Sequence, residues 1–371
     1  TDRQTDRQTD RQTDRQTDRQ TDRQTGLDVY RLVAVLLIFL FHSNIHINCN
    51  YGILNDFISM GAIAMTAFFL LSGYSMYLSY ENKNLGRIAD MKLFYIKRFL
   101  NILPLYYVVA IIFIIIYRRG NLLDELLLLP IETLGIQSVF TTLFPISHND
   151  GTWFVSCILI CYLIYPFMQE VIKQSNVQQK MIYFFVGLII MLWSPIVILK
   201  FNLSNIYSNP FFRMLEFFMG AILCSLKRKI EKLPISKKIY SPITICVEWI
   251  ALIAMISVGI KLNVQVGDYM LYNWIALPLF AIILVSMSGT DFRIFNKTFI
   301  RYLCKISYAF FMAQFFVFKL TKRILSILGQ DGNFLKIVLS FTLCCAFSIA
   351  FYEFIEKPIS SLLKNKFFEK A

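Results

Sequence analysis

Three ionisable residues in the first apolar stretch of the chain have a spacing that could do chemistry. Asp28 and Arg31 lie about one helical turn apart, and His42 follows Arg31 by eleven residues. At ~100° and ~1.5 Å per residue, a helix would place Arg31 and His42 on one face, ~16 Å apart in depth. Ionisable side chains inside a membrane are costly and face the bundle interior or a wet cavity. We therefore treat all three as candidate functional residues.

The imidazole of His42 has two interpretations. Histidine titrates near neutral pH and can act as a general base, but a single histidine in a membrane helix often serves only as a structural hydrogen-bonding group. Arg31 on the same helix face favours the functional interpretation. His46 forms a His-x3-His pair with His42, but His148 is the only other histidine and no third ligand is nearby in sequence. We therefore predict no metal site.

The elements that must position these residues are membrane helices. The chain has 371 residues, of which 56% are hydrophobic and 16% charged, and its mean hydropathy is +0.55. This composition is typical of an all-α polytopic membrane protein. Apolar stretches long enough to cross a bilayer predict about ten transmembrane helices, at residues 27–47, 59–80, 98–117, 153–168, 181–199, 211–226, 241–260, 271–288, 303–320 and 335–354.

The distribution of Lys and Arg predicts the orientation of these helices. With ten helices and both termini in the cytoplasm, the inside segments hold 27 Lys and Arg residues and the outside loops hold 7. Acidic residues and a proline interrupt the segment 122–144, which we interpret as re-entrant or interfacial and leave out of the helix count. The net charge of +13 arises from cytoplasmic segments, so we predict contact with a lipid bilayer and no nucleic-acid partner.

The chain begins with a polar repeat. Residues 1–24 are six copies of Thr-Asp-Arg-Gln, which offer no apolar surface to bury, so we expect residues 1–26 to form a disordered tail and residues 27–371 to form one membrane domain. The tetranucleotide ACAG, read continuously, encodes this repeat. Slippage of such a DNA repeat would shift the reading frame, which suggests phase variation of the kind seen in bacterial surface-antigen genes.

Seven motifs in the right order give the chain a resemblance to a known family. Leu27-Asp28-x-x-Arg31, followed by Arg31-x10-His42, resembles the first helix of the acyltransferase 3 family of membrane acyltransferases. The other six motifs cover the rest of the chain as far as residue 358. They are Phe68-Phe69-x-Leu71-Ser72-Gly73, Phe94-x-x-Lys97-Arg98 with Pro104, Trp153-Phe154 with Tyr162 and Pro166, Arg213-x-x-Glu216-Phe217-x-x-Gly220, Ile306-Ser307-Tyr308, and Tyr352-x-x-x-Glu356-x-Pro358.

The resemblance implies an O-acyltransferase of a bacterial cytoplasmic membrane that moves an acyl group, usually acetyl, from acyl-CoA to a hydroxyl of an envelope glycan. CoA would be a co-substrate and not a permanently bound cofactor. His42 would be the general base, and Arg31, oriented by Asp28, would hold the CoA arm or phosphates. Further contacts to phosphates would come from Lys97 and Arg98, although topology alone also explains these two cations. The acceptor would be held by Arg213, Glu216, Trp153, Ser307, Tyr308 and Gln314.

Some features leave other interpretations open. Arg213 and Glu216, spaced i and i+3, would also serve as a mutually neutralising structural pair. Asn101 and Gln314 stand where many family members have a basic residue and a histidine, which makes an inactive relative a further alternative. A ten-helix bundle with a few buried charges also suits a polysaccharide flippase or exporter. A transporter, however, has no need for Arg31 and His42 on one helix face.

Overall fold

The computed structural model describes residues 25–116, 122–140, 151–201, 207–264, 271–292 and 296–367, and these residues contain helices and no strands. The fold is therefore all-α, as predicted. The principal helices, in chain order, are α1 (Gly26–Ile47), α2 (Ala64–Tyr80), α3 (Ile88–Leu100), α4 (Leu103–Ile116), α5 (Leu122–Leu134), α6 (Thr152–Gln174), α7 (Val177–Phe201), α8 (Pro210–Glu231), α9 (Pro242–Lys261), α10 (Leu277–Ser288), α11 (Lys297–Ile327), α12 (Asn333–Phe351) and α13 (Lys357–Phe367). A π-helical turn, Leu271–Ala276, leads into α10, and another, Tyr352–Glu356, joins α12 to α13.

Nine helical stretches in the described part of the chain are long and apolar enough to cross a membrane. Helix α8 is the one predicted transmembrane helix, at residues 211–226, that is not among these nine stretches. It has 22 residues, but Arg213 and Glu216 lower its hydropathy. Both side chains are buried, with exposed fractions of 3% and 2%, so α8 presents its charges to protein. The prediction of a polytopic helical membrane protein is confirmed, while the inside position of the termini remains a prediction.

The third predicted helix differs from the structure at its start. It was expected over residues 98–117, but α3 begins at Ile88 and a break at Asn101 and Ile102 separates it from α4. Pro104 explains the break, because proline is well tolerated only in the first turn of a helix and disfavours helical backbone just before it. Sequence hydropathy missed α3 because that helix is amphipathic.

Helix α5 occupies part of the segment predicted to be re-entrant or interfacial. Its 13 residues span only ~20 Å, which is too short for a hydrocarbon core of ~30 Å. The hydroxyl groups of Tyr106 and Tyr107 on α4 donate hydrogen bonds to the backbone carbonyls of Glu132 and Thr133, each at 2.6 Å. The segment therefore folds back against α4. The repeat tail at 1–24 and His148 lie outside the described residues.

Helices α2 and α8 pack backbone to backbone. A Cβ atom added at Gly73 would lie 1.8 Å from the carbonyl oxygen of Phe217, and one added at Gly220 would lie 2.0 Å from that of Leu70. Small residues allow membrane helices to approach this closely. The close approach brings Thr66 on α2 within hydrogen-bonding distance of the carboxylate of Glu216.

The start of α1 is fixed to the loop between α10 and α11. The backbone N–H and hydroxyl of Thr25 donate to the Asp291 carboxylate at 3.3 and 2.9 Å, and the N–H of Phe292 donates to the Thr25 hydroxyl. Lys297 Nζ donates to the other oxygen of Asp291 at 2.8 Å. This hydrogen bond lowers the pKa of Asp291 from its ordinary value of 3.8. The anchor fixes the position of α1, and with it the depth of Arg31.

Candidate functional site

A cavity of about 680 Å³ lies at the end of the bundle where α1 begins, and residues of α2, α3, α6, α11 and α13 also line it. Its described lining contains four cations and one carboxyl group, together with several aromatic rings and hydroxyl groups. The four cations and the carboxyl group belong to Arg31, Arg98, Lys305, Lys357 and Glu356. This excess of positive charge suits an anionic ligand of considerable size.

Arg98 is the cation most firmly held in this cavity. Its guanidinium lies over the rings of Tyr80 and Tyr162, with centroid distances of 4.8 and 5.8 Å. These cation–π contacts help to hold the group in place, and its Nε is buried with no hydrogen-bond partner among the described residues. The residue as a whole is half-buried and lines the cavity, which places its positive charge beside the space that a ligand would occupy. Lys97, predicted to share this role, is exposed and does not line the cavity.

Helix α1 brings Arg31 to the same cavity. Asp28, one turn earlier, is buried with an exposed fraction of 3%, and its backbone carbonyl accepts a hydrogen bond from the Cys304 thiol at 3.4 Å. This contact joins α1 to α11. Ser307 and Tyr308 of α11, predicted as acceptor-binding residues, also line the large cavity. The structure thus groups them with Arg31 instead of His42.

His42 lies in a second, much smaller chamber of about 10 Å³. We call this space the His42 chamber. Apart from His42, the described residues that line it are apolar or aromatic, or are glycine: Ile38, Phe41, Ala62, Met65, Gly151, Trp153, Tyr207, Phe311 and Phe315. Met65 and Phe311 line the large cavity as well. The two spaces are therefore neighbours, separated by these two side chains.

A buried amide orients the His42 ring. Nδ1 of His42 lies 2.7 Å from Oε1 of Gln314, and Gln314 has an exposed fraction of 0%. An amide oxygen only accepts hydrogen bonds, so Nδ1 carries the proton. In the neutral ring the lone pair then resides on Nε2, which makes Nε2 the nitrogen that could act as a general base. The His42 ring also packs on Phe315, with centroids 4.7 Å apart.

The sequence as a whole identifies the class of protein. A family model for an acyltransferase domain, that of the acyltransferase 3 family, matches residues 24–353. The chain belongs to this family. The protein is accordingly a membrane acyltransferase. Searches among curated proteins and among solved structures find no match.

In this acyltransferase, Arg213 and Glu216 form a buried ion pair beside the His42 chamber. Arg213 donates to the Glu216 carboxylate at 2.7 Å, to the backbone carbonyl of Tyr207 at 2.7 Å and to the Thr66 hydroxyl at 3.2 Å. Its guanidinium also lies 5.5 Å from the ring centroid of Trp153 and 4.9 Å from that of Tyr207. Trp153 and Tyr207 line the chamber, so the geometry fits the structural interpretation, with the pair holding one wall in place.

Several lining residues of the acyltransferase were not singled out from sequence. Lys305 and Lys357 look like ordinary basic residues at helix ends, and Met65 and Phe311 look like ordinary apolar core. Glu356 and Tyr162 stood within family motifs, but without an assigned role. The described residues contain no group of three or more His, Cys, Asp or Glu side chains that could hold a metal ion.

Proposed function

We propose that this acyltransferase moves an acetyl group from cytoplasmic acetyl-CoA to a hydroxyl group of a cell-surface or lipid-linked polysaccharide at a bacterial cytoplasmic membrane. The observation that carries the proposal is the adjacency of the cationic cavity and the His42 chamber, which share Met65 and Phe311. Helix α1 contributes Arg31 to one space and His42 to the other. A donor held by its phosphates in the first space would present its thioester toward the second.

The large cavity has the chemistry for the donor. CoA carries phosphates, an adenine ring and a flexible arm, and the cavity offers arginine donors beside aromatic rings. Arg98 and Arg31 would bind phosphate oxygens through charge-assisted hydrogen bonds. The excess of Lys and Arg in the segments at this end of the bundle predicts that it faces the cytoplasm, where CoA thioesters are made.

His42 would perform the proton transfer. The hydroxyl oxygen of the acceptor attacks the thioester carbonyl carbon, a C–O bond forms, and the C–S bond breaks. Nε2 of His42 takes the hydroxyl proton and returns it to the departing sulfur of CoA, so the products are an ester and free CoA thiol. Gln314 acts as a positioning residue, because its amide oxygen holds the proton on Nδ1.

Acetyl transfer in membrane vesicles tests the proposal. Vesicles containing the protein and the endogenous envelope glycans are given radiolabelled acetyl-CoA, and label in the glycan is measured. We expect incorporation that is lost in His42→Ala. Movement of glycan across the vesicle membrane without labelling would overturn the enzyme proposal in favour of a transporter.

A second pair of variants tests the donor site separately. Arg98→Ala should raise the KM for acetyl-CoA about 10- to 150-fold, because a charge-assisted hydrogen bond contributes ~1.5–3 kcal/mol. Arg98→Lys should recover part of this loss, since it keeps the charge but not the planar group that stacks on tyrosine. Arg87→Ala is the control, because Arg87 is exposed, precedes α3 and does not line the cavity. An unchanged KM in Arg98→Ala would refute the assignment of this cavity to CoA.

A further inference from the structure

The wall between the two cavities is built from Met65 on α2 and Phe311 on α11. Both side chains are buried, with exposed fractions of 2% and 6%. The Phe311 ring packs edge-on against Phe154 at a centroid distance of 5.3 Å and also contacts the His42 ring at 6.4 Å. These are the two described side chains that line both spaces, so an acyl group that passes from the large cavity toward His42 would contact them.

The space beyond this wall is small. The His42 chamber measures about 10 Å³, and a space of ~10–15 Å³ measured in this way holds about one water molecule. Rings packed against one another surround it, since Trp153 and Tyr207 have centroids 4.7 Å apart and Phe315 packs on both His42 and His46. Close-packed aromatic walls resist the insertion of extra methylene groups. The chamber therefore suits a group of about the size of a methyl.

The chamber also lacks a counter-charge for an acidic acyl group. Among the described residues that line it, none is Lys or Arg. The nearby guanidinium of Arg213 is held behind Trp153 and Tyr207, and its charge is already matched by Glu216 at 2.7 Å. A carboxylate placed in such a space is desolvated without a partner, which is strongly unfavourable. A succinyl group would meet this penalty, whereas an acetyl group would not.

We propose that Met65 and Phe311 are specificity-determining residues that restrict this acyltransferase to short, uncharged acyl groups, with acetyl as the preferred one. This inference rests on the proposed function, since it assigns the acyl group of the donor to the His42 chamber. Size and charge are separate filters. Met65 and Phe311 limit the chain length, while the apolar lining excludes a carboxylate.

The test is an acyl-donor panel in membrane vesicles. Transfer from acetyl-, propionyl-, butyryl- and succinyl-CoA to endogenous glycan is compared for the wild-type protein, Met65→Ala and Met76→Ala. Met76 is a matched control, because it lies on the same helix with the same exposed fraction of 2% and lines neither cavity. We expect the ratio of butyryl to acetyl transfer to rise at least about tenfold in Met65→Ala and to stay at the wild-type value in Met76→Ala. Succinyl transfer should stay negligible in all three, because the substitution adds space and no positive charge.

The outcomes separate this inference from the proposed function. No transfer from any donor by the wild-type protein would refute the proposed function itself. Wild-type transfer of butyryl as fast as acetyl, or equal ratios in Met65→Ala and Met76→Ala, would refute the inference while leaving the acyltransferase assignment intact. If Met65→Ala fails to accumulate in the membrane, Phe311→Leu tests the same wall from α11 with the same expected direction. An unchanged ratio there would likewise overturn the inference.

Discussion

The hydrogen bond between Gln314 and His42 can be tested by removing the amide. Gln314→Leu keeps a side chain of similar size but removes the acceptor for the Nδ1 proton, which is held at 2.7 Å. Losing the bond and leaving a buried donor unsatisfied costs ~1.5–3 kcal/mol, and each 1.36 kcal/mol corresponds to about tenfold in rate. We therefore expect kcat for acyl transfer to fall about 10- to 150-fold. KM for acetyl-CoA should remain unchanged, because Gln314 does not line the large cavity.

Initial rates over a range of acetyl-CoA concentrations and of pH separate positioning from structure. A positioning role predicts that Gln314→Leu changes the pH profile of kcat, and that Gln314→His, which restores a ring nitrogen as acceptor, recovers activity. Thr321→Val is the control, since Thr321 lies seven residues further along α11 and has an exposed fraction of 0%. Its hydroxyl has no hydrogen-bond partner among the described residues. If Gln314→Leu raised KM with an unchanged kcat, or if it behaved like Thr321→Val, the proposed tautomer control would be wrong.

Two further predictions concern the scaffold. Gly220→Ala should lower the free energy of unfolding by ~1–3 kcal/mol or more, because its Cβ would lie 2.0 Å from the Leu70 carbonyl oxygen. Thermal unfolding in detergent should show a lower Tm for this variant. Gly332→Ala is the control and should keep the wild-type Tm, because no described atom lies within 4 Å of its added Cβ. The hydrogen bond to Lys297 lowers the pKa of Asp291 in the folded protein, so it stabilises the fold fully at pH values above the ordinary pKa of 3.8. This stabilisation is lost as the pH falls through the lowered pKa of the folded protein. Asp291→Asn should therefore have a lower Tm than the wild-type protein at about pH 7. Between about pH 7 and about pH 3, the Tm of the variant should fall by less than the Tm of the wild-type protein. An equal fall in Tm for both proteins would contradict this account.

The fold could be predicted from sequence because the bilayer imposes a simple rule. A spanning helix needs about twenty apolar residues, and the chain repeats such stretches with few charges between their ends. Helix α8 was identified despite Arg213 and Glu216, since an i, i+3 pair of opposite charge neutralises itself. Hydropathy does not predict helix α3, because polar residues interrupt its apolar ones and lower its mean hydropathy.

Apart from the family motifs, the sequence points to the candidate site where residue types are unusual for a membrane. Arg31, His42 and Arg98 stand out because charged and titratable groups are expensive in lipid. Met65 and Phe311 do not stand out, because apolar residues occupy every helix of such a protein, and their position between two cavities depends on how α2 and α11 pack. The grouping of Tyr308 with Arg31 likewise depends on the rotation of α11, which the sequence does not specify.

The placement of Arg31 and His42 in different cavities changes what their shared helix face implies. If both had lined one open cavity, the donor, the acceptor and water would all meet at His42, and hydrolysis of the thioester would compete with transfer. The wall of Met65 and Phe311 instead bounds a space beside the imidazole that has room for about one water molecule. A thioester acyl group that fills this space leaves little room for water beside the imidazole, which favours the acceptor hydroxyl as the nucleophile. The same wall that restricts the acyl group would thereby favour transfer over hydrolysis, and widening it in Met65→Ala should raise the fraction of acetyl-CoA that is hydrolysed, measured as free acetate against labelled glycan.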